Sequence, residues 1–149
     1  MTTTRFSGPL AAKGQRLQVV QGEAELDLTD DTDTTKLLKQ VDDIPLNEGA
    51  DNVIIKAIHG DITTTVAADS TEPVVTIQDD SGNSTGATIT ISDGDADGDF
   101  VTSSVSDGTA ITPVDLTSED LEAAVTTAAA DSGTAAGTVK VLVEALLVK

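Results

Sequence analysis

The stretch Val53-Ile54-Ile55-Lys56-Ala57-Ile58, then His59-Gly60-Asp61, then Ile62-Thr63-Thr64-Thr65-Val66 sets the class of this chain. Its first part is an almost unbroken apolar run of strand length, rich in β-branched residues, which suits a strand buried on both faces. The second part is equally β-branched. His59-Gly60-Asp61 between them reads as a tight connection, so the pair is expected to form a hairpin.

The same alternation of β-type runs and turn chemistry extends in both directions. Upstream, Gln15 to Gln21 forms a first run closed by Gly22, and Ala24, Leu26 and Leu28 alternate with Glu25 and Asp27. Asp30 to Thr35 is a polar loop, and Lys36 to Val41 fits either a strand or a single helical turn. Downstream, Val74 to Gln78 follows Pro73, and Ala87, Ile89 and Ile91 alternate with Thr88, Thr90 and Ser92. Phe100 to Val105 follows an Asp/Gly loop. Thr138 to Val148 is a final strand, long enough to be read as an edge that pairs with another chain. One helix is expected, near 118–130. Thr117 is a suitable N-cap, acids fill the first turn, and Leu121, Ala124, Val125 and Ala128 share a face at helical spacing.

Composition agrees. There are 23 Thr and 19 Asp against only 7 Glu, a balance that favours pleated strands and turns over helices. Leu, Ile, Val and Phe number 38 of 149 residues, enough to bury a core, and the length suits one domain. The chain is therefore read as mainly β: a β-sandwich, with the two-sheet jelly roll as the variant that suits about eight strands. An extended basic N-terminal arm, residues 1–22, precedes an acidic sandwich domain, residues 23–149.

Charge is unevenly placed. The net is −18, yet residues 1–22 hold Arg5, Lys13 and Arg16 and no acid, while Ala57 to Val139 hold fifteen acids and no Lys or Arg. One reading is an ordinary solvated acidic surface. The sharper one is a basic arm that docks on an acidic partner, with Phe6 and Leu10 as apolar anchors beside Arg5, Lys13 and Arg16. An acidic body repels nucleic acid and anionic membranes, so neither is expected as a partner. The longest apolar stretch, Val139 to Val148, contains Lys140 and Glu144 and is too short to span a bilayer. No signal-peptide core opens the chain, which reads as soluble.

Chemistry is sparse. With no Cys and a single His, neither a Cys–His dyad nor a His-rich zinc site can be assembled. No Ser lies in a nucleophile-elbow pattern and no phosphate-binding glycine loop occurs. Paired carboxylates of the glycosidase kind usually work beside aromatic sugar platforms, and Trp and Tyr are absent. No enzymatic activity is expected, and His59 is read as a turn residue. Asp93-Gly94-Asp95-Ala96-Asp97-Gly98-Asp99 matches the first half of an EF-hand loop, which curls carboxylates around Ca²⁺. The bidentate Glu is missing, its place being taken by Ser104. A Ca²⁺ loop of Asp93, Asp95, Asp97 and Asp99 completed by other residues stands beside the plainer reading of a polar inter-strand loop. No other cofactor is expected.

The opening Thr3-Thr4-Arg5-Phe6-Ser7-Gly8-Pro9-Leu10 resembles the start of small capsid-associated proteins of tailed bacteriophages. The resemblance covers about eight residues and continues as a shared style, cysteine-free and rich in Thr and Ala. It implies a head decoration, or cement, protein on the outer surface of the capsid. Such a protein would bridge subunits of the major capsid protein, often as a trimer. The family has no catalytic residues to carry over. A tail or fibre component of the virion and a Ca²⁺-dependent adhesion module are the alternatives.

Overall fold

The computed structural model of the chain describes residues 16–38, 52–105 and 108–148, with side chains from Glu25 to Leu37 in the first stretch and up to Leu146 in the last. Nine strands form within them: β1 (Arg16–Asp27), β2 (Thr34–Leu38), β3 (Asn52–Ala67), β4 (Val74–Asp79), β5 (Ser84–Thr90), β6 (Phe100–Ser104), β7 (Val114–Asp115), β8 (Leu121–Thr127) and β9 (Ala136–Val148). They make two antiparallel sheets. One has the order β1-β9-β3-β6, with the short β7 also on β3, and the other the order β2-β8-β4-β5.

Leaving aside β7, the pairing has a simple rule. The first strand pairs with the last (β1 with β9), the second with the next to last (β2 with β8), then β3 with β6 and β4 with β5. The chain is thus one long hairpin with its tip at β4–β5. Wrapping that ribbon brings β9 against β3 and β8 against β4, which closes the two sheets. This is the jelly-roll wrap. Both inner faces are lined by small branched residues. Leu26, Ile55, Ile62, Val141 and Val143 of one sheet face Val75, Ile77, Ile89, Ala123 and Val125 of the other, all nearly inaccessible.

Three sequence expectations are corrected. Val53–Val66 is not a hairpin: β3 runs through His59-Gly60-Asp61 without turning, and these residues pair with Thr102, Val101 and Phe100 of β6. Gly60 serves close packing, since a Cβ there would lie 2.9 Å from Val139 Cγ2 and 3.0 Å from Val101 Cγ2. A register shift against β9 between Ile55 and Ala57 moves the inward phase from Val53 and Ile55 to Ile58, Gly60 and Ile62. Such a bulge hides the period of two from a reading of spacing alone.

The segment 118–130 holds strand β8 (Leu121–Thr127) and no helix. Asp115 captures the intended cap: its Oδ1 accepts from the Thr117 backbone N–H at 2.9 Å and from the Thr117 hydroxyl at 2.6 Å. Its carbonyl accepts from Glu119 N–H, so one turn forms and the chain then extends. Val125, Thr126 and Thr127 are β-branched, and pairing with β2 and β4 satisfies the backbone on both sides. Finally, β9 is not an edge strand. It lies between β1 and β3.

Candidate interaction surface

The outer face of the larger sheet carries the one large apolar side chain that is exposed among the described residues. Phe100, at the start of edge strand β6, is 60% exposed. Its ring stacks on His59 of β3, centroids 5.9 Å apart at 24°. His59 Nδ1 lies 2.8 Å from Thr102 Oγ1, and Nε2 lies 3.4 Å from Glu144 Oε2 of β9. Four groups from three adjacent strands are brought together because the register places His59 opposite Thr102 and Leu142, with outward phase on each strand. Farther along the face, Thr63 donates to Glu25, contacts Thr138 at 2.7 Å, and lies beside the Lys140–Glu25 ion pair of 3.6 Å. Sequence reasoning singled out His59 only as a turn residue and did not connect it with Phe100. The signal that joins them is the β3–β6 register, which local spacing does not contain.

Of the residues expected to dock on a partner, Arg5, Phe6, Leu10 and Lys13 lie outside the described residues. Arg16 opens β1, opposite Leu147 of β9, so the part of the arm that is described, residues 16–22, is strand.

The four aspartates of the expected cation loop form two successive turns of the same form, Ser92-Asp93-Gly94-Asp95 and Ala96-Asp97-Gly98-Asp99. In each, the last Asp carboxylate accepts from the first residue's N–H: Ser92 to Asp95 at 2.9 Å and Ala96 to Asp99 at 2.8 Å. The glycines take φ of +84° and +90°, where a Cβ is disfavoured. Asp93 accepts from Ala68 N–H, and Asp97 N–H donates to Thr65. The carbonyls of Asp95 and Asp99 accept from Val66 and Ile62, while Gly94 and Gly98 donate back to the same two residues. The loop therefore caps the exposed edge of β3 beyond β6, and three of its four carboxylates accept from its own backbone or from that of Ala68, the residue after β3. Among the described residues, no three acids or histidines are grouped so as to hold a metal ion.

A second concentration of charge lies at one end of the smaller sheet. Lys36 of β2 pairs with Asp120 and lies 3.9 Å from Glu122, and the Asp120 bond holds its pKa above the ordinary value. Burial alone would raise the Asp79 carboxyl. Hydrogen bonds from the Asn83 amide at 2.8 Å, from the backbone of Asn83 and Ser81 at 2.8 and 3.0 Å, and from Glu119 bring it below the ordinary value instead. Glu119 is held above its ordinary value by burial first, then by the charges of Asp79, Asp80 and Asp115.

The two shifts have opposite consequences. A raised pKa means that the folded state holds the Glu119 proton more tightly than the unfolded chain. That stabilisation is full below the ordinary Glu range, about 4.3, and is lost as pH rises through the raised value. The lowered Asp79 stabilises at neutral pH and loses its contribution as pH falls through the depressed value. Glu119→Gln keeps a donor for Asp79 without a charge. The variant is expected to gain stability on the parent as pH climbs from about 4 to 7, read as the difference in urea midpoints. The same difference at both pH values would show that Glu119 is not the titrating group.

A shallow cleft of about 150 Å³ opens between β5 and β6, lined by Ile58, Ala87, Thr88, Ser103, Val105 and Thr109. It is smaller than the roughly 300 Å³ at which small-molecule pockets begin.

No family model matches the chain. No curated protein matches it either. Among solved structures, it is similar to the virus-like particle of the extra small virus of the giant freshwater prawn Macrobrachium rosenbergii, with 11% identity over 95% of this chain and 84% of that one. The TM-score of 0.34 is too low for any functional argument to be taken from that likeness.

Proposed function

We propose that this chain is a structural protein of a virus particle and, within that class, a decoration protein that binds the outside of a tailed-phage head and bridges its major capsid protein subunits. The observation that carries the reading is the run of the basic opening segment, Arg5-Phe6-Ser7-Gly8-Pro9-Leu10 through Lys13, directly into edge strand β1 of a jelly roll. Jelly rolls recur in viral shells and in lectins, so the fold alone does not choose between them. The opening segment favours the shell.

In this role the arm lies across acidic shell subunits, with Arg5 and Lys13 in ionic contact and Phe6 and Leu10 as anchors, while the acidic body faces solvent and keeps crowded particles apart. The chain does no chemistry there. The adhesion alternative loses support from the Asp93–Asp99 loop, whose carboxylates Asp93, Asp95 and Asp99 accept backbone N–H groups.

Quantitative mass spectrometry of purified particles of the virus that encodes the chain tests this. A copy number comparable to that of the major capsid protein is expected. A handful of copies per particle moves the protein to the tail or a vertex, and its absence from particles overturns the virion assignment.

A further inference from the structure

We infer that the Lys36 amine and the Asp120 carboxyl condense into an isopeptide bond that staples β2 to the start of β8, with Glu122 carrying a proton between them. This is a single self-reaction of the folded chain. It acts on no outside substrate and does not depend on the proposed role in a virion.

The strand register assembles the three groups. Lys36 lies opposite Glu122 across β2 and β8, and a register shift between Lys36 and Leu38 interrupts the ladder beside them. Leu37 and Leu121 turn into the core, so Lys36, Asp120 and Glu122 stand together on the outer face. Asp120 is also held from a third direction, since its carbonyl accepts from Asp80 N–H at 3.2 Å. The Lys36 ammonium touches the Asp120 carboxylate and lies 3.9 Å from Glu122 Oε1. Both carboxyl side chains are only 12% exposed. The Lys140–Glu25 pair shows the ordinary alternative: its side chains are 42% and 44% exposed, and among the described residues one carboxylate meets the amine.

An amine fixed against a sheltered carboxyl, with a second sheltered carboxyl in reach, is the set of groups that amide formation needs. Alignment on neighbouring strands is worth an effective concentration on the order of 10⁵ M or more. Shelter from water disfavours three charges in one place, and a neutral amide leaves only that of Glu122. The Asp120 contact also favours the charged form of Lys36, which makes the step slow. Glu122 takes up a proton readily. Burial first, then the charges of Asp80 and Asp120, raise its pKa against the pull of Lys36 and a hydrogen bond from Gln78.

In the reaction the ammonium passes one proton to the Asp120 carboxylate, giving a free amine and a carboxylic acid. The amine nitrogen attacks Asp120 Cγ, and a C–N bond forms. Glu122 takes a second proton from that nitrogen and hands it to the departing hydroxyl, which leaves as water when the Cγ–O bond breaks. The third proton stays on the amide, and Glu122 ends as the carboxylate it began as. Nothing is oxidised or reduced.

Intact-mass spectrometry of the full chain, denatured after days of incubation in its folded state, tests this. The parent is expected to be lighter than its sequence mass by one water, and proteolysis should release a branched peptide joining residues 36 and 120. Lys36→Arg, which keeps the ion pair, and Asp120→Ala should both stay at the sequence mass. Glu122→Gln should slow closure about a hundredfold or more, as expected when a positioned proton carrier is lost. A parent that stays at its sequence mass would overturn the proposal. So would a water loss that persists in Lys36→Arg, which would place it elsewhere, for instance in a succinimide at an Asp–Gly pair. Closure of Glu122→Gln at the parent's rate would overturn the part given to Glu122.

Discussion

A chain truncated after Gly137 is expected to lose its cooperative fold entirely. Strand β9 is the second strand of its sheet, hydrogen-bonded along its length to β1 on one side and β3 on the other. Val139, Val141, Val143 and Ala145 are at most 1% exposed in the core. Removing them forfeits about 1.5–3 kcal/mol for each buried valine, which together rivals the roughly 5–15 kcal/mol that holds a whole domain together. The loss also leaves the backbone of β1 and β3 without partners in the interior of the sheet. Circular dichroism with urea denaturation should show no sigmoidal transition for residues 1–137. A truncated chain that unfolds with the parent's midpoint and slope would mean that β9 is peripheral, as expected of an edge strand awaiting another chain.

Substitution of Gly60 should be nearly as informative. At a hairpin turn, Asn would be a mild replacement, since Asn tolerates left-handed turn conformations. Gly60 is instead buried in β3 and is not among the glycines with positive φ. A new Cβ meets Val139 Cγ2 at 2.9 Å and Val101 Cγ2 at 3.0 Å, and both are stiff β-branched side chains in neighbouring strands. Gly60→Ala is expected to cost about 1–3 kcal/mol by overpacking. Gly60→Asn should cost more, because its amide would enter an apolar layer with no partner in place. Urea denaturation at neutral pH gives both values. An Asn variant within about 0.5 kcal/mol of the parent, the usual range for surface substitutions, would restore the turn reading.

The candidate surface was only partly legible. Phe100 was visible as one of two aromatics and His59 as the one histidine, but nothing in their spacing of 41 residues says that they stack. The Asp93–Asp99 pattern was plain, and its local consequence, a tight acidic loop between strands, holds. Where its carboxylates point was decided by the N–H groups of Ser92, Ala96 and Ala68, the last of which lies just past the end of β3, 25 residues away.

The class of the fold was present in the residues. Alternation at Leu26–Leu28 and Ala87–Ile91, abundant Thr and Val, and Asp/Gly punctuation all specify strands, because side-chain period and turn chemistry act over a few residues. The jelly-roll order, the straight run of β3 and the strand at Leu121–Thr127 were decided by tertiary pairing. At Leu121–Thr127 the same small residues satisfy a helical face and a strand face. The choice falls to partners far along the chain, since β2 and β4 hold its backbone on both sides. At Gly60 the local dipeptides spell a turn, and it is Val139 and Val101 from β9 and β6 that make a strand there fit. Local propensity is worth tenths of a kcal/mol to about one per residue, whereas burial in a closed two-sheet core is worth several, so where the two conflict the core prevails.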